Sequence, residues 1–437
     1  MRASPLLPRR TVAKLARRGA GFDARTRAAA ARIVEAVRTH GEVALRKHAE
    51  RFGDVLPDAP LYHDRPELAR ALTGLSTDDR VRLERVAARI RAFAVAQRGA
   101  LGPVSVPVPG GVAEHRIAPM QRAGCYAPGG RYPLPSSVLM TAVTARVAGV
   151  RDIWVASPKP QGLTLAAAAL AGADGVLAVG GAQAIAALAY GTGPIAPRDV
   201  IVGPGNRYVA AAKRLVAGAV AIDMLAGPSE LVVFADSSAD AATVAVDLLA
   251  QAEHDPHAVP VLVTTDASLV ERVERELARC LGDLPTGRVA RAALAHGGAI
   301  VVSSVDDGVA ACDALAPEHL QLVLRDADAV APRLAHYGAL FVGAGSAEVL
   351  GDYGAGPNHV LPTGGTARFS GGLSVYTFLR VRTWLRIDDP ARARPLIEDA
   401  VWLGRAEGLE AHARAAERRL VVEPAGESHP ATQVRTP

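Results

Sequence analysis

Histidine residues stand near carboxyl or amide residues at four separate places in the sequence. Gln251 and His254 are three residues apart at the predicted end of a helix, and Glu318 directly precedes His319. Because residues at i and i+3 share one face of a helix, Gln251 and His254 could bind one metal ion together. Adjacent carboxyl and imidazole groups could act as an acid–base pair. A solvated helix end and a surface turn are the structural alternatives for these two pairs.

The other two places lie in the C-terminal part of the chain. Asp352 and His359 belong to a Gly- and Pro-rich stretch, residues 351–372, which is too long for an ordinary connection. The Asp352 carboxylate could complete a metal shell, although Asp in a Gly-rich turn often bonds only its own backbone. Glu407 and His412 lie near the start of the last predicted helix, where both could reach one cavity or face solvent. Four such groups on separate elements could assemble one site.

The elements that must position these residues form a repeating pattern. From residue 116 onward, short apolar runs alternate with Ala-rich helical patterns, first over residues 152–217 and again over residues 239–342. Alternating strands and helices are typical of a parallel α/β sheet. The sequence therefore predicts an α/β fold with two tandem units of similar length, preceded and followed by amphipathic helices.

Glycine-rich turns offer two candidate sites for a nucleotide phosphate. Residues 203–206, with the sequence Gly-Pro-Gly-Asn, lie between a predicted strand and a predicted helix. Free amides at a helix start bind phosphate, and Asn206 could cap this helix. The segment Tyr126-Ala-Pro-Gly-Gly is a similar candidate, and a plain turn is the alternative for both. No dinucleotide fingerprint, GxGxxG, lies between a predicted strand and a predicted helix.

The composition limits which binding partners and which cellular compartment we expect for this protein. A chain of 437 residues with 49% hydrophobic residues predicts two to four folded domains. The net charge is only +5, and arginines alternate with acidic residues along helices, so we expect no nucleic-acid binding. Three distant cysteines and the lack of an apolar leader predict a cytoplasmic protein. Glycines and prolines interrupt the charge-free window at residues 175–197, so we expect no membrane span.

Taken together, the motifs closely resemble the histidinol dehydrogenase family. The match runs in order from about residue 25 to residue 420, and the long Gly- and Pro-rich stretch is its most specific part. The matching segments are Tyr126-Ala-Pro-Gly-Gly, Gly181-Ala-Gln-Ala-Ile, Val202-Gly-Pro-Gly-Asn, Asp223-Met-Leu-Ala-Gly-Pro-Ser-Glu, Gln251-Ala-Glu-His-Asp-Pro, Ala316-Pro-Glu-His-Leu, Gly351-Asp-Tyr-Gly-Ala-Gly-Pro-Asn-His and Ala406-Glu-Gly-Leu-Glu-Ala-His.

The resemblance implies a zinc-containing, NAD-dependent enzyme that oxidises L-histidinol through L-histidinaldehyde to L-histidine, using two NAD in succession. In the family pattern, the zinc ligands would be Gln251, His254, Asp352 and His412. The residues that join these four around the substrate would be Ser229, His319 and Glu407. NAD would contact Tyr126, Gln183 and Asn206. As a hypothesis, His319 takes the hydroxyl proton and Glu318 activates water against the aldehyde.

The resemblance also implies the architecture and the assembly. NAD would bind on incomplete Rossmann-like units, and the chain would form a homodimer in which the segment carrying His412 completes the partner's site. We expect an N-terminal helical segment, two α/β Rossmann-like units, an active-site loop, and a C-terminal helical segment with a disordered tail. The expected boundaries are residues 1–115, 116–236, 237–350, 351–380 and 381–437.

Two other functions fit the same residues. A dehydrogenase for another small alcohol would keep both the metal and the base. A zinc hydrolase would use Glu318 to activate a metal-bound water without any nicotinamide. The turns at Tyr126 and at residues 203–206 favour a dehydrogenase, and the presence of Glu407 and His412 favours an imidazole substrate.

Overall fold

The computed structural model describes residues 5–16, 22–129 and 133–420, so the tail predicted to be disordered lies outside the described residues. The described chain divides into two compact units. The first unit comprises the chain up to Gly99 and Pro119–Leu379, and the second comprises Ala100–Ala118 and the chain from Arg380 onward.

The strands and helices alternate along most of the chain. In chain order the strands are β1 (Tyr62–Asp64), β2 (Val104–Val108), β3 (Gly111–Pro119), β4 (Arg122–Tyr126), β5 (Asp152–Ala156), β6 (Gly175–Leu177), β7 (Val200–Val202), β8 (Ala221–Ile222), β9 (Glu230–Ala235), β10 (Val259–Thr264), β11 (Gly298–Val301), β12 (His319–Val323), β13 (Ala339–Val342) and β14 (Leu379–Ile387). The helices are α1 (Val12–Ala16), α2 (Ala24–Arg51), α3 (Arg65–Thr73), α4 (Thr77–Gly99), α5 (Pro135–Ala148), α6 (Gly162–Ala171), α7 (Gly181–Tyr190), α8 (Arg207–Val216), α9 (Ala241–Ala252), α10 (Ala267–Cys280), α11 (Gly287–Leu294), α12 (Val305–Leu315), α13 (Ala327–Val330), α14 (Glu348–Asp352), α15 (Arg394–Ala406) and α16 (Glu410–Glu417).

The first unit contains two mainly parallel sheets. The first sheet has the strand order β1-β6-β5-β4-β7-β8, in which β1 is antiparallel to β6 and the other neighbours are parallel. The second sheet is parallel throughout and has the order β11-β10-β9-β12-β13. Its strands are buried on both faces, as in Leu231 to Ala235, which is why they read as uninterrupted apolar runs. The predicted α/β fold is confirmed.

The two sheets share one strand order. Counted from β4 in the first sheet and from β9 in the second, the parallel strands follow the order 3-2-1-4-5. This is the order of a dinucleotide-binding sheet without its sixth strand. The direction of winding reverses between β4 and β7 in the first sheet and between β9 and β12 in the second. Ligands of such folds bind beyond the carboxyl ends of the strands at this switch point.

The N-terminal helices cover the helices of the first sheet. α2 packs against α7 and α8, α3 against α6, and α4 against α5. In α2, Ala30, Val34 and Val37 are buried at spacings of four and three residues, which places them on one face of the helix. Asp64 begins α3 with a capping box, a start signal that is visible in the sequence.

The second unit combines a small sheet with the C-terminal helices. β2 and β3 form an antiparallel hairpin, and β14 lies beside β3. Gly110 turns the hairpin with φ +76°, and a Cβ there would lie 2.3 Å from the carbonyl oxygen of Asp389. α15 and α16 pack against each other. The two terminal segments that we expected to be helical therefore also contain strands.

The close contact between Gly308 and Phe234 gives a test of the core packing. A Cβ at Gly308 in α12 would lie 2.1 Å from Cζ of Phe234, whose side chain is fully buried and cannot swing aside. Gly308→Ala gains about 1 kcal/mol of helix propensity, but the overpacking costs about 3 kcal/mol. We expect a net loss of stability, measured as a lower urea midpoint. Gly162→Ala, which meets no atom within 4 Å at the start of α6, is the control and should not lose stability. Equal midpoints for the two variants would contradict this packing argument.

Candidate functional site

The Glu318–His319 pair lies at the amino end of β12 in the second sheet, beside the amino end of the neighbouring strand β9. His319 begins β12 and pairs in register with Leu231 of β9, so Glu230 lies beside this pair. Glu318 and His319 are 6% and 3% exposed, which rules out the surface turn that the sequence left open. The predicted acid–base pair is therefore withdrawn from bulk water.

Hydrogen bonds to Glu230 orient both members of the pair. The backbone N–H of Glu230 donates to Oε2 of Glu318 at 2.9 Å, and Nδ1 of His319 lies 3.2 Å from the carbonyl oxygen of Glu230. A carbonyl oxygen only accepts, so Nδ1 carries the proton of this bond. In the neutral imidazole, Nε2 of His319 is then the basic atom, and it makes no hydrogen bond. It lies 3.6 Å from Oδ1 of Asp352.

Two further carboxyl groups approach His319 from α14. Asp352 ends this short helix and Glu348 begins it, so the two side chains share a face at i and i+4. Oε1 of Glu348 lies 3.8 Å from Nδ1 of His319. We predicted that Asp352 lies in a Gly-rich loop. This is wrong in detail, because Asp352 is the last residue of α14 and only the later glycines follow it in the loop.

Burial and mutual charge shift the pKa values of these groups. Burial raises the pKa of Glu318 to about 8 and that of Glu348 to about 7, although the nearby His319 opposes both shifts. Burial lowers the pKa of His319, but Glu318, Asp352 and Glu348 outweigh this and raise it to about 10. Burial acts to raise the pKa of Asp352, but the nearby His319 outweighs this and lowers it. The site thus concentrates negative charge around one imidazole.

A group of side chains that could hold a metal ion lies next to this pair. Ligand atoms of His254, Glu348 and Asp352 all lie within 4.8 Å of one another, and Nε2 of His254 is 3.8 Å from Oδ2 of Asp352. Gln251 lies in the last turn of α9, which contacts α14, and is completely buried. Neither its amide oxygen nor its amide nitrogen has a hydrogen-bond partner. Such an unpaired buried amide costs about 1–3 kcal/mol unless it binds something.

The donor set fits zinc, which accepts imidazole nitrogen and carboxylate oxygen as ligands. Gln251, His254 and Asp352 were predicted from the sequence. Gln251 lies on α9 and Asp352 on α14, and these helices are in contact. His254 lies two residues beyond the end of α9, so the expected shared helix face is wrong in detail. Glu348 was not predicted. Its position four residues before Asp352 was the available signal, but a glutamate on a short helix is usually exposed.

Side chains of the Gly- and Pro-rich stretch support the site by binding backbone groups around it. Nδ1 of His359 lies 3.0 Å from the carbonyl oxygen of Asp352, and Nε2 lies 3.3 Å from the hydroxyl of Ser137. Burial lowers the pKa of His359 and so favours the neutral imidazole. The hydroxyl oxygen of Thr363 accepts the N–H of Gly227, two residues before Ser229. His359 is therefore a support for Asp352.

Glu407 and His412 belong to the second unit. Glu407 is the C-cap of α15 and α16 begins only at Glu410, so the single helix that we predicted there is wrong. Gly408, with φ +75°, makes the turn between the two helices. Both Glu407 and His412 are exposed, and their contribution to the site stays a prediction.

The residues expected to meet NAD lie at the carboxyl edge of the first sheet. Tyr126 ends β4, and Asn206 follows β7 at the switch point, where its side chain accepts the N–H groups of Tyr208 and Val209, so the predicted cap of α8 is confirmed. The Tyr126 hydroxyl accepts the N–H of Gly181 at 3.1 Å, and burial raises its pKa to about 12.

Gln183 is held in place by a residue that the sequence did not single out. Its amide nitrogen donates to Oδ2 of Asp54 at 3.0 Å, and the same oxygen accepts the N–H of Gly180. Burial raises the pKa of Asp54, although these two hydrogen bonds oppose the shift. No sequence motif surrounds Asp54, and its partners lie more than a hundred residues away in the chain.

The corresponding edge of the second sheet is arranged differently. Asp236 follows β9, and its carboxylate accepts the N–H of Arg325, which lies just beyond β12, at 3.0 Å. Its other oxygen accepts the N–H of Ser238 at 2.9 Å. A carboxylate thus occupies the switch point of the second sheet, whereas Gly203 lies at that of the first.

Sheets of dinucleotide-binding order that carry a buried carboxyl–imidazole pair beside metal-binding side chains define a metal-containing dehydrogenase. The sequence matches the family profile described as histidinol dehydrogenase over residues 16–420. The chain belongs to the histidinol dehydrogenase family, whose members are NAD-dependent, zinc-binding oxidoreductases.

Individual relatives agree with this assignment. The chain is 48% identical to histidinol dehydrogenase from Thermus thermophilus over 410 residues, covering 93% of this chain and 98% of that protein. It is 46% identical to the enzyme of the same name from Aromatoleum aromaticum over 407 residues, covering 92% of each chain. The crystal structure of histidinol dehydrogenase from Elizabethkingia anophelis superposes with a TM-score of 0.89 at 29% identity, covering 96% of this chain and 99% of that one.

The metal group predicts that two neighbouring histidines differ in their effect on zinc. His254→Ala removes a donor, so zinc affinity should fall by at least about tenfold, because even outer-shell substitutions cost 10–100-fold. His257 is exposed and lies against His296, with ring centroids 5.4 Å apart and the ring planes tilted by 47°, so His257→Ala should keep its zinc. Zinc per chain is measured by atomic absorption after dialysis against a chelator. Equal retention in the two variants would remove His254 from the metal group.

Proposed function

We propose that the chain oxidises L-histidinol to L-histidine through L-histidinaldehyde, with the electrons passing to two NAD in succession. The observation that carries this proposal is the buried Glu318–His319 pair beside His254, Glu348 and Asp352. Family membership supports the substrate, since the chain aligns with enzymes named histidinol dehydrogenase over more than nine-tenths of its length.

Zinc would be held in this subunit by Gln251, His254 and Asp352. When bound, zinc supplies a Lewis acid that can fix the amine and imidazole of histidinol, and it does no redox work itself. Glu348 lies close enough to add a fourth ligand or to face the substrate amine. The unpaired amide of Gln251 supports this assignment, because an oxygen ligand buried without a partner is explained by a cation.

His319 would act as the base in both oxidations. Each oxidation removes a proton from oxygen and a hydride from carbon, and NAD accepts the hydride. With the proton of Nδ1 directed to the carbonyl of Glu230, Nε2 of the neutral imidazole would take the proton of the alcohol. A cation bound beside the carboxylates would offset the rise that they cause in the pKa of His319 and so favour this neutral form. The nearby carboxylates stabilise the imidazolium that forms.

Glu318 would act between the two oxidations. The aldehyde must add water before it can lose a second hydride, and a carboxylate can take the proton from that water. Burial raises the pKa of Glu318 to about 8, so this carboxyl group exchanges protons near neutral pH. As water adds, the protonated His319 would return its proton to the aldehyde oxygen, and the neutral imidazole would then deprotonate the hydrate as it deprotonated the alcohol.

The dinucleotide would bind at the switch point of the first sheet, against Tyr126, Gln183 and Asn206. The reversal of winding between β4 and β7 opens a crevice at their carboxyl ends, which is where nucleotides bind in folds of this order. Gly203 lets the backbone come close there. These features support a nucleotide, and therefore a dehydrogenase over a hydrolase.

The remaining expected residues call for a second subunit. We propose a homodimer in which Glu407 and His412 of one protomer complete the partner's site, together with Ser229 next to Glu230. The second unit exposes large apolar side chains, including 70% of Trp402 and 58% of Leu385, and such surfaces are usually buried by a partner.

We also propose a cytoplasmic location. The cysteines Cys125, Cys280 and Cys312 are unpaired, as expected in a reducing compartment. Among the helices of the described residues, none is both long and apolar enough to cross a bilayer.

Counting product separates the candidate functions. Purified zinc-loaded protein with histidinol and NAD should form two NADH for each histidine, measured by absorbance and by chromatography of the amino acid. A chelator should abolish turnover. NADH formation with other small alcohols but not histidinol would favour the alternative substrate, and hydrolytic activity without NADH would favour the zinc hydrolase.

Substitutions in the pair should separate the two oxidations. Glu318→Gln should slow histidine formation from supplied histidinaldehyde by roughly 10²–10⁴-fold, because water loses its base. The same variant should slow alcohol oxidation much less. His319→Asn should depress both steps, measured as single-turnover NADH formation with each substrate. An unchanged rate of aldehyde oxidation in Glu318→Gln would rule out Glu318 as the base that activates water. A full rate of alcohol oxidation in His319→Asn would rule out His319 as the base of the first oxidation.

A further inference from the structure

Lys213 is a buried cation in the first sheet, far in sequence from the acid–base pair. It lies on α8, and its side chain is 2% exposed. It forms an ion pair with Asp223, which follows β8 and whose side chain is 1% exposed. Buried ion pairs contribute little net stability, because both charges lose their hydration. The effect of this pair therefore lies in the backbone that it binds.

Both polar backbone groups of Gly203 are bound by the pair. Nζ of Lys213 donates to the carbonyl oxygen of Gly203 at 3.0 Å, and Oδ2 of Asp223 accepts the N–H of Gly203 at 2.7 Å. Oδ1 of Asp223 also accepts the N–H of Met224 at 2.6 Å. The loop after β7 is thus fixed by two charged side chains that water does not reach.

Gly203 lies where the loop touches the end of the neighbouring strand. Its φ is +111°, and a Cβ there would lie 2.0 Å from the carbonyl oxygen of Tyr126. The loop therefore packs directly against the end of β4, inside the switch-point crevice. Asn206, three residues later, caps α8, and Lys213 lies about two helical turns along the same helix.

We propose that Lys213 and Asp223 are a positioning pair that holds residues 203–206 in the shape that receives the dinucleotide. This inference rests on the proposed NAD site at the first sheet. Neither charged group is exposed, so the pair acts through Gly203 and the start of α8 rather than by touching the cofactor. The acid–base pair lies at the amino end of β12 and the metal group on and beside α9 and α14, outside residues 203–206.

The proposal predicts a selective loss of NAD affinity. Lys213→Met should raise KM for NAD by at least about tenfold, the size of effect that loss of an outer-shell support has in metal sites. At saturating NAD, kcat should stay close to that of the wild type, and KM for histidinol and the zinc content should not change. The measurement is steady-state kinetics with each substrate varied, alongside Tm and zinc analysis.

Arg198→Met is the matched control. Its side chain is fully buried and pairs with Asp152 at 2.8 Å, at the amino edge of the same sheet. This variant also loses a buried cation and should have a lower Tm, but it leaves residues 203–206 untouched. KM for NAD should therefore stay near the wild-type value in Arg198→Met. An equal rise in both variants would show a general loss of stability and overturn the proposal.

A double variant covers the case in which Lys213→Met alone does not fold. Lys213→Met with Asp223→Asn leaves no unpaired buried charge, so it should regain stability but not the geometry of the loop. A recovered Tm with KM for NAD still raised supports the positioning role. A recovered Tm with wild-type KM for NAD overturns it.

Separate variants distinguish this proposal from the cofactor site on which it rests. Asn206→Ala and Tyr126→Phe alter the crevice itself. If neither changes KM for NAD, the dinucleotide does not bind at the first sheet and the proposed function loses its cofactor site. If both raise KM for NAD while the Lys213 variants do not, the cofactor site stands and only the positioning role fails.

Discussion

The crowding of carboxyl groups around His319 is the interaction on which the rest of the site depends. Glu318, Glu348 and Asp352 approach one imidazole at the edge of the second sheet, and each is withdrawn from water. Several buried negative charges are costly unless protons or a cation balance them. The divalent ion that we propose beside His254 would balance them without taking the basic atom of His319 out of use. The same ion would explain why the amide of Gln251 is buried without a protein partner. Acid–base chemistry and metal binding are thus one electrostatic arrangement.

The irregular segment after α14 joins the two α/β units of the first compact unit. The amide of Asn358 donates to the carbonyl oxygen of Met140 on α5 at 2.8 Å. At its other end, the N–H of Gly364 donates to Oε1 of Glu230 at 3.1 Å. The segment therefore contacts a helix of the first sheet and the amino ends of the second. It is long because it spans both, and its hydrogen bonds keep Asp352 in place despite its many glycines.

Local patterns predicted much of this protein, and contacts between distant residues were the part that sequence could not supply. The alternation of strands and helices predicted the α/β fold, and the spacing of Gln251 and His254 and the adjacency of Glu318 and His319 indicated the chemistry. Glu348 escaped notice because its burial depends on where α14 packs. Asp54 escaped because its partners Gly180 and Gln183 follow far later in the chain. Glu407 and His412 were candidates from the sequence, but only the family resemblance gave them roles, since no local spacing joins them to the other groups.

The two sheets share a strand order but use opposite edges for different tasks. At the second switch point the carboxylate of Asp236 ties β9 to the residue after β12, and its negative charge repels a phosphate. With the dinucleotide confined to the first crevice, as we propose, both oxidations would have to use one cofactor position in turn. Reduced cofactor would have to leave and oxidised cofactor would have to bind while the aldehyde stays bound to the same subunit. The zinc pocket would therefore have to retain the reactive aldehyde for longer than the exchange of the cofactor takes.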